Sequence, residues 1–434
     1  MSDLITVREY AYISVAYAGC PESTIDHAYI SASAFDHLCE LLASFSKHGA
    51  KIFELAGRRK LKLDQYVGVI ETPAPCSTRI EILPKHVDIS EGDEQHIIQQ
   101  ERRLLQKMLS VSLDLPYREA GAANLTKFRQ PLHEWIISQF LRCFEQLIQR
   151  GLRFDYQRIQ EEQKYLRGQL QHVKHMRQPP AKKHIFPIEH DIYEVNRPEN
   201  RLIKTALDVV CKKTRSSKNW KLAQELRLMT GEIPKSQNIS QDFKQWQLGR
   251  LLALYTDIKP WTELILSEYM PVSAQGDWRG MSLLFPMEKL FEHYVAYHLR
   301  RELKDWDVST QVSNQHICLH EGKPIFRLRP DIHIQHKQKN LKIVLDTKWK
   351  LLDQHNRGGR FGFKDGDIQQ MFAYSHYYLE HASEVILIYP HLPNKFDDEL
   401  RFKFNVESDK ALLRAIPFHL DEPKKVMDYL PDLV

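Results

Sequence analysis

No two of the six cysteines, Cys20, Cys39, Cys76, Cys143, Cys211 and Cys318, are close enough in the chain to make a Cys-x-x-Cys pair. That excludes the common zinc-ribbon and dithiol redox motifs, and scattered cysteines suit a reducing compartment and buried apolar positions. No apolar run approaches the ~20 residues that cross a bilayer. The start, MSDLITVREY, has no basic region ahead of an apolar stretch. The expectation is a soluble, cytoplasmic chain with no membrane partner. An excess of one sign of charge is what the chain lacks: 61 Lys and Arg against 56 Asp and Glu leave a net +5. Such a balance permits a nucleic-acid partner without requiring one. No Gly-x-x-x-x-Gly-Lys-[Ser/Thr] occurs, so the usual nucleotide-phosphate cradle is missing. GGRFGFKDG (358–366) is glycine-rich but lacks the Lys-Ser/Thr end and reads as a flexible loop. Neither an internal repeat nor a long low-complexity tract is visible.

What is present is a chain of 434 residues, 42% of them hydrophobic, enough for two or three packed domains. The reading is α/β and multi-domain: a β-rich N-terminal region over 1–110, a mainly helical region over 111–275, and a mixed-sheet domain over 276–434. YVGVIETP (66–73) and TRIEILPK (78–85) alternate with period two around a turn-prone PAPCS, while Phe35, Leu38, Leu41, Leu42 and Phe45 have helical spacing. Helices are expected over 131–152, with Pro131 at the entry and Gly151 at the exit, and from Pro198 onward. SAQGDWRG (273–280) has the turn composition of a domain boundary. After it come a helix (285–303), strands near 307–318, 325–335 and 341–349, a helix over 367–380 and the apolar strand EVILIYP. Strand, helix, strand predicts a parallel crossover in a mixed sheet.

The informative stretch is RLRPDIHIQ, a polar turn HKQKN, then LKIVLDTKWK. Alternation places Asp346 and Lys348 on one face of a strand, with Leu345 and Thr347 on the other. Asp331 opens the neighbouring strand, and a hairpin brings it near Asp346. Two carboxylates at ~4 Å repel by about 4 kcal/mol at an effective dielectric near 20. A bound Mg²⁺, with Mn²⁺ as an alternative, would neutralise them and supply an acidified water for phosphodiester hydrolysis. Lys348 could orient that water or offset phosphate charge. Alone, Asp-x-Lys on a strand more often marks an exposed polar edge. Glu288 and Glu292 share a helix face, and Glu292, beside Leu290 and Phe291, is the better candidate to complete a metal shell of Glu292, Asp331 and Asp346. Gln370 and Tyr374, also at i and i+4, could grip a DNA backbone or position Lys348, with structural hydrogen bonding as the alternative.

Other features read more plainly. Lys164, Arg167, Lys174, Arg177, Lys182 and Lys183 suit a solvated helix face leading to a Pro179-Pro180 linker better than a phosphate-contacting strip. His172, His175 and His336 lack zinc spacing with cysteine and read as polar surface. His333 shares a strand face with Asp331.

The order Glu, Asp, Asp-x-Lys, Gln-x-x-x-Tyr resembles the PD-(D/E)xK nuclease superfamily, in its branch with the trailing Gln-x-x-x-Tyr motif. The wider text is similar to the McrC family, the nuclease subunits of McrBC-type modified-cytosine restriction systems. YVGVIETP, IEILPK, YLRGQL, FPIEHDIYEVNRPENRLIKTAL, MEKLFEHYVAYHL, LRPDIHI, VLDTKWK and QQMFAYSHYY carry the likeness over about residues 66–390. The resemblance implies a Mg²⁺-dependent endonuclease subunit with catalytic Asp331, Asp346, Lys348, Gln370 and Tyr374. It also implies docking, through the 111–275 region, on an McrB-like AAA+ GTPase ring that binds the GTP and recognises modified double-stranded DNA. Two alternatives remain at this level: a stand-alone nuclease of DNA repair, and a non-cleaving adaptor that activates the motor.

Overall fold

A computed structural model describes residues 4–47, 51–72, 78–86, 93–113, 130–152, 155–247, 253–266, 282–313, 315–339, 341–379, 384–404 and 412–430. The expected turn PAPCS and the boundary segment SAQGDWRG lie outside the described residues.

The chain begins with β1 (Leu4–Arg8), β2 (Tyr12–Val15), β3 (His27–Ile30), α1 (Ala32–Lys47), β4 (Phe53–Gly57), β5 (Lys60–Leu63), β6 (Tyr66–Glu71), β7 (Arg79–Leu83) and α2 (Glu94–Ser112). A middle run follows: α3 (Leu132–Arg150), β8 (Asp155–Gln163), β9 (Gln169–Leu170), α4 (His172–Met176), β10 (Phe186–Glu194), α5 (Pro198–Lys213), α6 (Ser217–Met229), α7 (Ile239–Gln245) and α8 (Ala253–Leu266). The last run is β11 (Ser282–Pro286), α9 (Met287–Glu302), β12 (Trp306–Thr310), β13 (Gln315–His320), β14 (Lys323–Leu328), β15 (Ile332–His336), β16 (Lys342–Thr347), α10 (Asp365–Tyr378), β17 (Glu384–Pro390), β18 (Leu400–Lys403) and β19 (Leu412–Phe418). The mixed α/β, multi-domain architecture expected from the periodicities is found. Among the described residues no helix is long and apolar enough to cross a membrane.

Two compact units emerge: Met1–Leu132 with Met270–Val434, and His133–Tyr269. The first is joined by a strand exchange that no local pattern announces. β11 pairs antiparallel with β6, completing the sheet β1-β7-β6-β11. Gly68 makes the approach possible. Its φ is +134°, and a Cβ there would lie 1.9 Å from the Leu283 carbonyl oxygen. Val67, Val69, Ile70, Ile80 and Ile82 are buried throughout, as β-branched residues of a central hairpin should be.

Glu9, just after β1, ties the N-terminal strands to the segment beyond β16. It is fully buried. Its Oε2 accepts from Trp349 Nε1 (2.8 Å) and Lys85 N (3.0 Å), and its Oε1 has no partner among the described residues. Burial pushes the carboxyl up to about 8 against the pull of those two bonds, and Glu101 and Asp64 push the same way. Because the folded value lies above the ordinary 4.5, this stabilising contribution is fully present below 4.5 and is lost as pH rises through about 8. Glu9→Gln imitates the protonated form. Urea unfolding should find it more stable than wild type by about 3–5 kcal/mol near pH 9, the gap closing near pH 5. A gap independent of pH would contradict this account of Glu9.

The second unit has its own core. Trp135 and Trp261 meet edge to face at 5.4 Å, and Leu202, Ile203, Ala206, Leu207 and Val210 form the buried stripe of α5. Pro198 opens α5, and Lys212 and Lys213 sit at its negative end. Buried Glu134 accepts from Thr214 Oγ1 (2.8 Å), Arg215 N (2.6 Å) and Asn219 Nδ2 (2.8 Å), which fixes α3 to the α5–α6 junction. The basic strip differs from expectation. β8 and β10 pair over nine residues, and the strip lies in their connection, with α4 as one short turn carrying no buried residue. All six cations are exposed, and the Pro179-Pro180 step opens a 3₁₀ turn inside the hairpin connection.

In the first unit the last run builds a six-stranded mixed sheet, β12-β15-β16-β17-β19-β18. β15 and β16 are antiparallel, β16 and β17 parallel, with α10 as the crossover. β17 and β19 are buried along almost their whole length, the pattern of central parallel strands.

Candidate functional site

The β15–β16 register explains why Asp331 and Asp346 meet. Ile332 faces Leu345, so the residue before β15, Asp331, comes opposite Asp346. Beyond β16 the backbone still follows β17, because Lys348 N donates to the Ile388 carbonyl at 2.9 Å. Lys348 therefore keeps the alternation and returns to the face of Asp346. The two form an ion pair in which Asp346 is buried (1% exposed) and the lysine is partly exposed.

Each group is held by neighbours. Asp331 Oδ2 accepts from Thr347 N and Thr347 Oγ1, both at 2.9 Å. Lys348 Nζ donates to Gln370 Oε1 at 3.3 Å, and Gln370 Nε2 donates to Tyr374 Oη at 2.6 Å. Gln370 and Tyr374 lie one turn apart on α10, as their spacing required. The structure thus links Asp346, Lys348, Gln370 and Tyr374 in one chain of polar contacts.

Glu292 is placed differently from its expected role beside the two aspartates. It is buried on α9, accepts from Lys289 Nζ at 2.6 Å, and meets Gln311 Nε2. The same Gln311 nitrogen lies 3.4 Å from Asp331 Oδ1, so Gln311 stands between the two acids. Among the described residues no three His, Cys, Asp or Glu side chains are arranged to hold a metal ion. Glu288 is not part of the group.

Electrostatics mark Asp346 as the unsettled member. Burial pushes its carboxyl up to about 7, with Asp331 adding repulsion and Lys348 pulling back. Burial draws Lys348 down, but Asp346 and Asp331 outweigh it and leave the amine higher than usual. Asp346 Oδ2 lies against the Lys348 ammonium, which pairs with it and donates to it. Two carboxylates brought opposite each other on adjoining strands, one of them buried, form an oxygen donor set of the kind a divalent cation takes, with Asp331 and Asp346 as the residues that would hold it. Glu292 is joined to Asp331 through the shared Gln311 nitrogen.

Several site residues escaped sequence reasoning. Gln311 gives no motif signal: it follows β12 with φ +56°, and its N–H bonds the Asp331 carbonyl at 2.9 Å. Such a left-handed non-glycine costs of order 1–3 kcal/mol and persists where the surroundings impose it. Alternation places Thr347 on the opposite face, but its hydroxyl reaches Asp331 at the strand end. Lys350 pairs with buried Asp367 at 2.6 Å. Period two could have found Lys350, since it continues the Asp346 and Lys348 face. His336 ends β15 and caps the turn after it: its Nδ1 accepts from Gln338 N and Lys339 N, both at 3.0 Å. His333 packs 6.2 Å from the Tyr378 ring. The glycine-rich 358–366 segment is a built turn, with Phe361 and Phe363 packed on Phe402 at 5.9 and 5.6 Å.

Comparison with known proteins points one way. A family described as McrBC 5-methylcytosine restriction system component matches residues 61–390. No curated protein matches the chain. Among solved structures, a chain of the refined half-complex from the tetradecameric assembly of Thermococcus gammatolerans McrB AAA+ hexamers with bound McrC is similar in fold. The TM-score is 0.75 at 19% identity, covering 99% of this chain and 100% of that one. A chain of the cryo-EM structure of the Thermococcus gammatolerans McrBC complex has a TM-score of 0.54 at 21% identity, covering 69% of this chain and 88% of that one.

Proposed function

Because the chain belongs to the family of McrBC 5-methylcytosine restriction system components, we propose that it is the DNA-cutting subunit of a two-component restriction complex. In this reading it docks on an McrB-like AAA+ GTPase ring, stimulates it, and cleaves modified double-stranded DNA in the presence of Mg²⁺. The partner assignment follows the family and the McrB hexamers with which the structural neighbour was solved.

The observation that carries the reading is the convergence of Asp331, Asp346 and Lys348 from two adjoining strands. A divalent ion held by the two aspartates would supply Lewis-acid charge and a water acidified toward neutral pH. The protein's own groups do the rest. The Lys348 ammonium offsets the charge that develops on the scissile phosphate. Gln370, backed by Tyr374, limits where that ammonium can go, and Thr347 fixes the Asp331 carboxylate from below. Gln311 keeps Glu292 out of direct contact with Asp331 and so sets the spacing of the acids.

The test uses methylated and unmethylated plasmids with the purified chain, Mg²⁺, GTP and an McrB-like GTPase. Cutting is expected only when the plasmid is modified and all other components are present. Lys348→Ala should abolish cutting while calorimetry still records metal uptake. A wild-type chain that stimulates the GTPase but never cuts would replace this reading with that of a non-cleaving adaptor.

A further inference from the structure

Between two site residues, Gln311 and Asp331, the chain leaves the main sheet and returns as a separate hairpin. Among the described residues β13 and β14 pair only with each other. Glu321 and Gly322 close the turn with φ +50° and +77°, the two positive angles of a two-residue type I′ connection. The base is anchored on α10, the helix that carries Gln370. Tyr377 Oη donates to the Ile317 carbonyl (2.9 Å), and Tyr378 Oη donates to the Leu328 carbonyl (3.0 Å). The arm is therefore fixed to the site at both roots.

Its charge pattern is unusual for an unpartnered sheet. His316 faces Arg327 and His320 faces Lys323 across the strands, with the left-handed Phe326 (φ +55°) interrupting β14 between the two pairs. Lys323, Arg327 and the neighbouring Arg329 are exposed, and none has a carboxylate partner among the described residues. The two pairs are four residues apart, roughly 13 Å along the strand, close to the ~12 Å width of a B-DNA major groove, which admits a two-stranded ribbon.

We propose that the β13–β14 hairpin is a DNA-seating arm whose cations contact backbone phosphates next to the bond that is cut. The inference rests on the reading of the site as a DNA-cutting centre and adds where the duplex lies. Such contacts position without reading sequence.

The experiment measures binding of the full chain, in complex with its GTPase, to a modified duplex over a range of salt concentrations. Each phosphate contact contributes about 0.9 to the slope of log affinity against log salt. Lys323→Gln with Arg327→Gln should lower that slope by about 1.8 and weaken binding about tenfold or more near physiological salt. GTPase stimulation should stay at the wild-type level, which shows that the variant folds. Lys323→Arg with Arg327→Lys, which keeps the charges, should restore the slope. Unchanged affinity and slope would overturn the proposal. So would altered sedimentation with unchanged DNA binding, which would assign the arm to a protein contact. A wild-type complex that binds DNA but does not cut would remove the cleavage reading alone, since the arm is read by binding.

Discussion

Asp346→Asn is expected to slow plasmid cutting by at least ~10³-fold, about 4 kcal/mol in activation free energy, with little change in melting temperature. The two effects come from the same fact. Asp346 is a nearly inaccessible carboxylate with a second acid beside it and one ammonium as counter-charge. Asn has the same shape and no charge, so it removes the repulsion and the desolvation cost of ionisation. It also removes the partner of Lys348, but that amine keeps its bond to Gln370 and its attraction to Asp331. These stability terms oppose each other. Nothing opposes the loss of the charged oxygen that, on the proposed reading, would hold the divalent ion. Initial rates of linearisation, thermal melts and GTPase stimulation measured together test this. Substantial cutting by the purified variant complex would end the assignment of Asp346, and a collapsed melting temperature would show that its role is structural.

Glu81→Ala is expected to destabilise the unit that holds the site by about 3–5 kcal/mol. Glu81 on β7 is inaccessible to solvent and is the shared acceptor of a buried cluster. Arg102 of α2 donates to it from Nε and Nη2, Thr6 Oγ1 bonds it from β1 at 3.1 Å, and Leu132 N reaches it at 2.9 Å. Removing the carboxylate leaves a largely desolvated guanidinium without its main counter-charge and a buried N–H without an acceptor. Glu81→Gln should cost less, because it keeps an acceptor for Leu132 N. Urea unfolding separates the three proteins. A Glu81→Ala chain within about 1 kcal/mol of wild type would mean that water reaches the cluster.

How far the sequence could be read depended on how local the relevant geometry was. The Asp346 and Lys348 pairing required only strand alternation, and the contact of Gln370 with Tyr374 required only helical pitch. Both are found. The parallel crossover from β16 through α10 to β17 was legible for a similar reason, since apolar runs and helix spacing declare themselves over a few residues. Strand boundaries were less clear. The expected strands 307–318 and 325–335 each run into a separate hairpin strand, because exposed β13 and β14 carry no burial pattern to set them apart. The position of Glu292 beside Leu290 and Phe291 marks it as a boundary residue of α9, and it is buried, but no local pattern announces the intervening Gln311. Its side chain lies there because a left-handed backbone step turns it toward Asp331.

By itself, then, the sequence determined the local half of the site: which face Asp346 and Lys348 share, which helix turn carries Gln370 and Tyr374, and a hairpin that brings Asp331 to them. Those follow from bond geometry repeated every two or 3.6 residues. Only the tertiary structure decided that β11 would close against Gly68 of β6, that Glu9 would meet Trp349 across 340 positions, and that Gln311 would separate Glu292 from Asp331. Such contacts join segments far apart in the chain. They depend on the path of the whole backbone, which no short window of residues contains.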